Sequence, residues 1–130
     1  MVLIEKDKLE KLKKLSKEFN LSFLVLFGSR ANGSFTNNSD WDFAYFTNKK
    51  IDKIKLWNKL EILFKNVDLV EINGLTSIYL KKEISDNGFL IYEKRLGLFE
   101  DFKAEVDFEY MDNIDYLKEY ENFIEKNLKL

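Results

Sequence analysis

The sequence predicts an α/β or α+β domain in which helices and strands alternate along the chain. Apolar residues with helical spacing alternate with short apolar runs of the kind that form buried strands. The chain has 130 residues, of which 45% are hydrophobic and 34% charged, so it can bury the core of one compact domain. We therefore expect a single domain over residues 1–130, with residues 94–130 forming a helical C-terminal extension.

The composition excludes several kinds of chemistry. The chain contains neither cysteine nor histidine, which excludes disulfides, thiolate catalysis, histidine-based dyads and metals ligated by either residue. Its 23 acidic and 21 basic residues give a net charge of −2, which argues against a general nucleic-acid binder. No apolar run reaches the roughly 18 residues of a membrane span, and the N-terminus does not resemble a signal peptide. We expect a soluble, cytoplasmic protein.

The first half of the chain predicts two helices, two strands and a loop. Residues 5–19 form an amphipathic helix whose lysines face solvent and whose apolar stripe comprises Leu9, Leu12, Leu15 and Phe19. The unbroken apolar run 23–27 ends at Gly28 and is typical of a buried strand. Residues 30–39 are polar and predict a short helical turn with a loop, and residues 41–46 predict a second strand.

The second half continues the alternation. Residues 51–65 predict a helix whose apolar face includes Trp57 or Leu56, and residues 67–72 predict a third strand. Thr76 is expected to cap a helix over residues 77–86. A turn then leads into a short fourth strand at residues 89–92. From about residue 94 the pattern is helical, with a break expected near residues 111–113.

The C-terminal quarter is acidic and aromatic. Residues 99–130 contain ten acidic and four basic side chains together with seven aromatic residues, whereas residues 1–98 have a net charge of +4. Such a segment could dock on a basic partner. It could equally be an amphipathic helix that packs on its own domain with its charged face in solvent, and the pattern leaves both interpretations open.

Two aspartates at the start of the second predicted strand suggest a metal site. Asp40 and Asp42 are two residues apart, so in a strand they point to the same face. Carboxylates held so close repel each other, and burial would raise a pKa unless a cation compensated. Mg²⁺ or Mn²⁺ prefers such oxygen ligands. Trp41, Phe43 and Tyr45 would lie on the opposite face and pack into the core.

Asp68 and a Gly-Ser turn extend this candidate site. Asp68 lies among apolar residues of the third strand, where an unpaired buried carboxylate would be costly. Gly28 permits a close backbone approach, and Ser29 offers a hydroxyl and an N–H at the start of a helical turn. The planar fork of Arg30 suits a bidentate phosphate contact. Each feature alone is more often a turn or a capped loop, but together they favour a metal-dependent nucleotide site.

These residues resemble the minimal nucleotidyltransferases of the DNA polymerase β-like superfamily. The signature of that family is Gly-Ser, ten residues, Asp-x-Asp and a third carboxylate on a later strand, here Gly28-Ser29, Asp40-Trp41-Asp42 and Asp68. Residues 87–93 and the tail from about residue 101 also resemble MntA-type antitoxins, so the similarity spans nearly the whole chain. It implies a polymerase β-like fold, with a small mixed sheet flanked by helices and a helical C-terminal tail.

The resemblance also implies a function. MntA-type proteins are encoded beside a HEPN-domain RNase toxin and transfer AMP from ATP to a toxin tyrosine, which silences the toxin. Carried over to this chain, Asp40 and Asp42 would bind two Mg²⁺ ions, with Mn²⁺ as a substitute. Asp68 would bind the ion that activates the acceptor hydroxyl and would receive its proton.

The same resemblance assigns the nucleotide contacts. Gly28 and Ser29 would hold the β- and γ-phosphates of ATP. Asn32 stands where many members of the family carry a second basic residue, which leaves Arg30 as the only nearby cation in the sequence.

Two alternatives remain open at this stage. A non-catalytic module could neutralise the toxin by binding alone, as the acidic aromatic tail suggests. A small-molecule nucleotidyltransferase similar to the aminoglycoside enzymes is the other, although those enzymes carry an added helical domain for which the chain after Asp68 leaves little room.

Overall fold

The computed structural model describes residues 4–127, and its helices and strands follow the predicted order. The elements are α1 (Lys6–Glu18), β1 (Phe23–Phe27), α2 (Ser29–Asn32), β2 (Trp41–Phe46), α3 (Lys53–Leu63), β3 (Val67–Glu71), α4 (Ile78–Asn87), β4 (Phe89–Glu93) and α5 (Leu98–Asn127). The predicted α/β class is confirmed. The ends of the predicted range 1–130 lie outside the described residues. No helix within residues 4–127 is both long enough and apolar enough to cross a bilayer.

The four strands form one mixed sheet in the order β3-β2-β1-β4. β1 pairs antiparallel with both β2 and β4, whereas β2 and β3 are parallel and are joined by α3 as a crossover. The C-terminal end of β1 therefore lies beside the N-terminal ends of β2 and β3. In this register Asp42 stands opposite Phe27 on one side and Asp68 on the other.

Helices cover both faces of the sheet, which explains why β1 is apolar at every position. The face covered by α1 and α3 buries alternate residues of the strands: Leu24, Leu26, Phe43, Tyr45, Leu69 and Ile91. The face covered by α4 and α5 buries the others: Phe23, Val25, Phe27 and Ala44. Phe43 and Tyr45 thus point into the core as predicted, and strand alternation directs Asp42 to the α4/α5 side.

The N-cap of α4 differs by one residue from the prediction. Ser77 caps the helix by accepting the N–H of Leu80 at 3.1 Å. Thr76, the predicted cap, instead accepts the N–H of Asn73 at 3.0 Å and donates to the carbonyl oxygen of Glu71 at 3.2 Å. Adjacent hydroxyl residues can both serve as caps, and the turn after β3 uses the first of them.

The last helix starts later than predicted and has no break. It begins at Leu98 rather than near residue 94, and the N–H of Phe99 donates to the side chain of Glu93 at 3.1 Å. The break expected near residues 111–113 is wrong. The segment contains no glycine or proline, and Asn113 donates its side-chain amide to the carbonyl oxygen of Glu109 at 2.7 Å within the helix.

The first half of α5 packs on the domain. Phe99 and Val106 are buried, and two ion pairs join this half to α4: Lys81–Glu109 at 3.3 Å and Lys82–Asp107 at 3.1 Å. The second half, residues 115–127, which we call the distal segment of α5, exposes Tyr116, Tyr120 and Phe123 by 55–66%.

Candidate active site

Three carboxylates lie at the end of the sheet where β1 ends and where β2 and β3 begin. Asp42 is the second residue of β2 and pairs in parallel register with Asp68, the second residue of β3. Asp40 precedes β2 by one residue. Asp42 is partly buried, whereas Asp40 and Asp68 are exposed. The structure thus places Asp42 and Asp68 side by side, with Asp40 next to them along the chain.

The charges of this group are not compensated by nearby side chains. Burial raises the pKa of Asp42 above its ordinary value, and the negative charges of Asp68 and Asp40 raise it further. Within residues 4–127, no lysine or arginine nitrogen lies within 4.0 Å of any of the three carboxylates. Crowded oxygen ligands without a counter-charge suit a hard divalent cation.

The three carboxylates are close together, but they are not arranged as the ligands of a metal ion. In the described part of the chain, no three acidic side chains are arranged as a complete set of metal ligands. The expectation that Asp68 is buried is also wrong. β3 is an edge strand, so the apolar residues around Asp68 in the sequence face the core while Asp68 itself is open to solvent.

Gly28 occupies a position that only glycine fits. Its backbone has φ 73° and ψ −158°, a conformation that side-chain-bearing residues avoid. A Cβ added here would collide with Oδ2 of Asp42 and would lie 3.2 Å from its carboxyl carbon. The turn after β1 therefore passes directly against the Asp42 carboxylate.

Ser29 begins α2 immediately after this turn. The carbonyl oxygen of Gly28 accepts the N–H groups of Ala31 and Asn32 at 3.1 and 3.2 Å. As at any helix start, the first N–H groups, those of Ser29 and Arg30, have no partner within the helix. Gly28 therefore lies against Asp42, and Ser29 follows it directly in the chain, while their contact with phosphate stays a prediction.

The Arg30 side chain contacts aromatic rings and a backbone carbonyl rather than the carboxylates. Its guanidinium is between the rings of Phe35 and Trp41, 4.7 and 4.4 Å from their centroids, and Nη2 donates to the carbonyl oxygen of Ser39 at 3.1 Å. Trp41 packs on Phe64 of α3 at 4.5 Å, so it belongs to the α1/α3 side of the sheet. Asp42 points to the other side. The Arg30 side chain therefore lies across β2 from Asp42, and within residues 4–127 it forms no ion pair with any of the three aspartates.

Sequence reasoning missed two residues of α3 that hold the start of β3. The indole N–H of Trp57 donates to the carbonyl oxygen of Val67 at 2.9 Å, and Glu61 accepts the N–H of Val67 at 3.0 Å. Both bonds fix the residue before Asp68. The spacing of Trp57 and Glu61, one helical turn apart, was the available signal. Leu56 and Leu60 are the buried residues of α3, whereas Trp57 is exposed.

Comparison with known families identifies the chain. The sequence model of the family described as Polymerase beta, Nucleotidyltransferase matches residues 10–96, a range that includes all six predicted site residues. The chain belongs to this nucleotidyltransferase family.

Relatives of this nucleotidyltransferase include a curated protein and several solved structures. The protein adenylyltransferase MntA of Aphanizomenon flos-aquae (strain 2012/KM1/D3) is 32% identical, over 73% of this chain and 72% of that protein. A toxin–antitoxin structure with AMP-PNP superimposes with a TM-score of 0.74 at 24% identity, covering 89% of this chain and 98% of the other.

A second structure, the tri-AMPylated Shewanella oneidensis HEPN toxin in complex with an MNT antitoxin, has a TM-score of 0.70 at 21% identity. It covers 93% of this chain and 99% of the matched chain. At these identities the structural likeness shows the fold, and together with the family match it confirms the predicted polymerase β-like architecture.

Proposed function

We propose that this nucleotidyltransferase is an antitoxin that transfers AMP from ATP to a tyrosine of a HEPN toxin encoded nearby. The observation that carries the proposal is the pairing of Asp42 with Asp68 beside the glycine-only turn at Gly28. The 32% identical relative, named a protein adenylyltransferase, and the AMP-PNP bound to one structural relative support the choice of ATP.

In this proposal the three aspartates would hold two Mg²⁺ ions, for which Mn²⁺ could substitute. Asp40 and Asp42 would serve as ligands of both ions, and Asp68 of one. The fit rests on the oxygen ligands and on the unfavourable crowding that raises the pKa of Asp42. When bound, Mg²⁺ would neutralise charge that develops on the α-phosphate and the leaving pyrophosphate and would favour ionisation of the acceptor hydroxyl.

The chain's own residues orient the substrates and move the proton. The tyrosine oxygen forms a bond to the α-phosphorus of ATP, the bond from that phosphorus to the bridging oxygen breaks, and pyrophosphate leaves. Asp68, which is exposed and therefore open to an approaching side chain, accepts the hydroxyl proton. The backbone at Gly28 and the N–H and hydroxyl of Ser29 contact the β- and γ-phosphates.

The experiment is to incubate the purified protein with Mg²⁺, α-labelled ATP and the product of the neighbouring gene. We expect label on a tyrosine of that partner, no label with a chelator, and no label with the double variant Asp40→Ala, Asp42→Ala. Asp7→Ala, an exposed aspartate of α1, is the matched control and should transfer label normally. The proposal would be contradicted if the RNase activity of the partner were silenced in this reaction while the partner carried no label.

One observation favours a second candidate, neutralisation by binding alone. The distal segment of α5 exposes Tyr116, Tyr120 and Phe123 on an acidic helix, which is the composition of a docking surface. The same double variant separates the two functions in cells. A binding module with Asp40 and Asp42 replaced by alanine still protects against the toxin, whereas an enzyme so altered does not.

A further inference from the structure

The loop that carries Asp40 is held mainly by its own short-range bonds. This loop, residues 33–40, connects α2 to β2. The side chain of Asn32 accepts the N–H of Ser34 at 2.9 Å, and Ser39 Oγ accepts the N–H of Thr36 at 2.9 Å. These bonds join residues two or three apart in the sequence, so they shape the loop without fixing it to the rest of the domain.

Arg30 makes the long-range connection. It projects from α2 and touches the loop at two places, the ring of Phe35 and the carbonyl oxygen of Ser39, and it also stacks on Trp41 at the start of β2. Ser39 and Trp41 are the two residues that flank Asp40. The Arg30 guanidinium therefore holds the chain on both sides of that carboxylate.

Asp40 depends on this contact more than its partners do. Asp42 is paired with neighbouring strands on both sides, and Asp68 pairs with Asp42 and follows a residue fixed by α3. Asp40 lies one residue before β2 and is exposed, outside the strand register.

The surroundings of Arg30 also separate it from the candidate phosphate site. It lines an open cleft of about 580 Å³ together with Lys8, Trp41 and Phe64, and none of the three aspartates lines that cleft. Nε is buried without a hydrogen-bond partner, and no carboxylate of residues 4–127 lies within 4.0 Å of the guanidinium. A planar cation between two rings, with a fork that reaches a carbonyl oxygen, is a geometry that lysine cannot reproduce.

We propose that Arg30 is a positioning residue that places Asp40 for metal binding, rather than the phosphate ligand that the sequence suggests. This inference rests on the proposed function, because it assumes that Asp40 is a metal ligand. Arg30 would then act from the side of β2 opposite to the proposed nucleotide site.

The test compares three variants by their affinity for Mn²⁺ alone, measured by electron paramagnetic resonance on the purified protein. Arg30→Lys keeps the charge but not the plane, Arg30→Met removes both, and Phe35→Leu removes one stacked ring and no charge. We expect both Arg30 variants to raise the Mn²⁺ dissociation constant about tenfold or more, as for lost contacts that orient metal ligands. Phe35→Leu should raise it in the same direction by less.

Two further readouts distinguish positioning from a general loss of stability. The backbone N–H of Trp41 donates to the carbonyl oxygen of Asn66 at 2.9 Å. This amide should exchange faster with solvent in the Arg30 and Phe35 variants, while the amides of the core keep their protection. In the transfer assay, kcat should fall more than KM for ATP rises. Arg95→Lys and Arg95→Met are the matched controls, because Arg95 is two-thirds exposed and lies 3.9 Å from Asp101, and they should match the parent protein.

A phosphate ligand would give the opposite pattern, and that pattern would overturn the inference. Arg30→Lys would then resemble the parent, Arg30→Met would raise KM for ATP, and Mn²⁺ affinity would not change. If Arg30→Met does not fold, Phe35→Leu decides between the two roles. If the double variant Asp40→Ala, Asp42→Ala binds Mn²⁺ as tightly as the parent protein does, the proposed function itself fails.

Discussion

At the scale of single residues, the site depends on how Gly28 and Asp42 fit against each other. The backbone of Gly28 has a conformation almost restricted to glycine, and the missing side chain leaves the space that the Asp42 carboxylate occupies. The Asp42 carboxylate can therefore occupy its position only because the turn has a glycine at residue 28. The glycine of the Gly-Ser element therefore has a steric reason, in addition to the phosphate contact that we propose for it.

Gly28→Ala should damage both folding and activity. The strained backbone conformation costs about 1–3 kcal/mol, and displacement of Asp42 should lower AMP transfer by roughly a hundredfold. Urea unfolding and the transfer assay measure the two effects. Gly74→Ala is the control, because a Cβ there meets no atom within 4 Å, and it should change stability by less than about 0.5 kcal/mol. Equal unfolding midpoints for the two variants would contradict the steric explanation.

The raised pKa of Asp42 predicts a pH-dependent cost to stability. Because the folded state holds the proton of this carboxyl to a higher pH than the unfolded state, whose value is near 3.8, stability falls as pH rises from 3.8 through the raised pKa. The full penalty is then present at neutral pH. Asp42→Asn should accordingly melt at a higher temperature than the parent at pH 7, and the difference should shrink as the pH falls through the raised pKa towards 3.8.

Mg²⁺ provides the control for this comparison. It should raise the melting temperature of the parent protein and leave Asp42→Asn nearly unchanged, since the variant lacks one of the proposed ligands. A variant that is less stable than the parent at pH 7 without metal would mean that Asp42 has favourable contacts that outweigh its desolvation and charge repulsion.

At the scale of elements, α5 joins two segments with different environments. Its first half packs on β1 and α4, where Phe99 and Phe102 each lie 5.4 Å from the ring of Phe23. Most side chains that the structure describes in the distal segment are exposed, so the buried contacts that anchor the helix are concentrated in its N-terminal half.

Two phenylalanines of this helix should show the difference. Phe99 is 4% exposed, and Phe99→Ala should lower the free energy of unfolding by about 3–5 kcal/mol. Phe108 is 75% exposed, and Phe108→Ala should change it by less than about 0.5 kcal/mol. Chemical denaturation of both variants measures the contrast. Comparable losses would show that the outer face of α5 is covered in solution.

The elements were predictable because each leaves a local pattern, whereas the contacts between them were not. The apolar run of β1 and the spacing from Gly28 to Asp40 can be counted along the chain. The resemblance implied a small mixed sheet, but the strand order that sets Asp42 beside Asp68 is seen only in the structure. The stacking of Arg30 on Trp41 depends on which face of β2 the loop crosses, and no periodicity records that.

The errors have the same origin. Asp68 reads as buried because its sequence neighbours are apolar, but its exposure is decided by the edge position of β3. The break expected near residue 112 came from a polar cluster, and Asn113 is accommodated within the helix by a bond to the preceding turn. Local polarity indicates a loop only when no continuous helix can satisfy the same groups.

At the scale of the whole molecule, negative charge and exposed aromatic side chains are both concentrated in the C-terminal helix. Residues 99–130 are strongly acidic while the rest of the chain is positive, and the distal segment of α5 adds exposed aromatic rings. A toxin that binds RNA needs a basic surface for the phosphates. An acidic helix with aromatic side chains is complementary to such a surface.

Replacement of Tyr116, Tyr120 and Phe123 by alanine should weaken toxin binding and leave the fold intact. Alanine is the best helix former, so the helix persists, while the lost contact area should raise the dissociation constant at least tenfold. Calorimetry with the Asp40→Ala, Asp42→Ala background isolates binding from transfer. Ile62→Ala, which alters an 82% exposed residue of α3, is the control. Unchanged affinity in the triple variant would place the toxin contact elsewhere.

The continuity of α5 has a consequence for such an encounter. A free peptide of the length of residues 115–127 would be a marginal helix in water, because the first turn is unfavourable to nucleate. Here the anchored half supplies that nucleus, and the overhang of roughly 20 Å needs only elongation. A partner would meet side chains already in register and would lose less conformational entropy on docking than it would with a coiled tail.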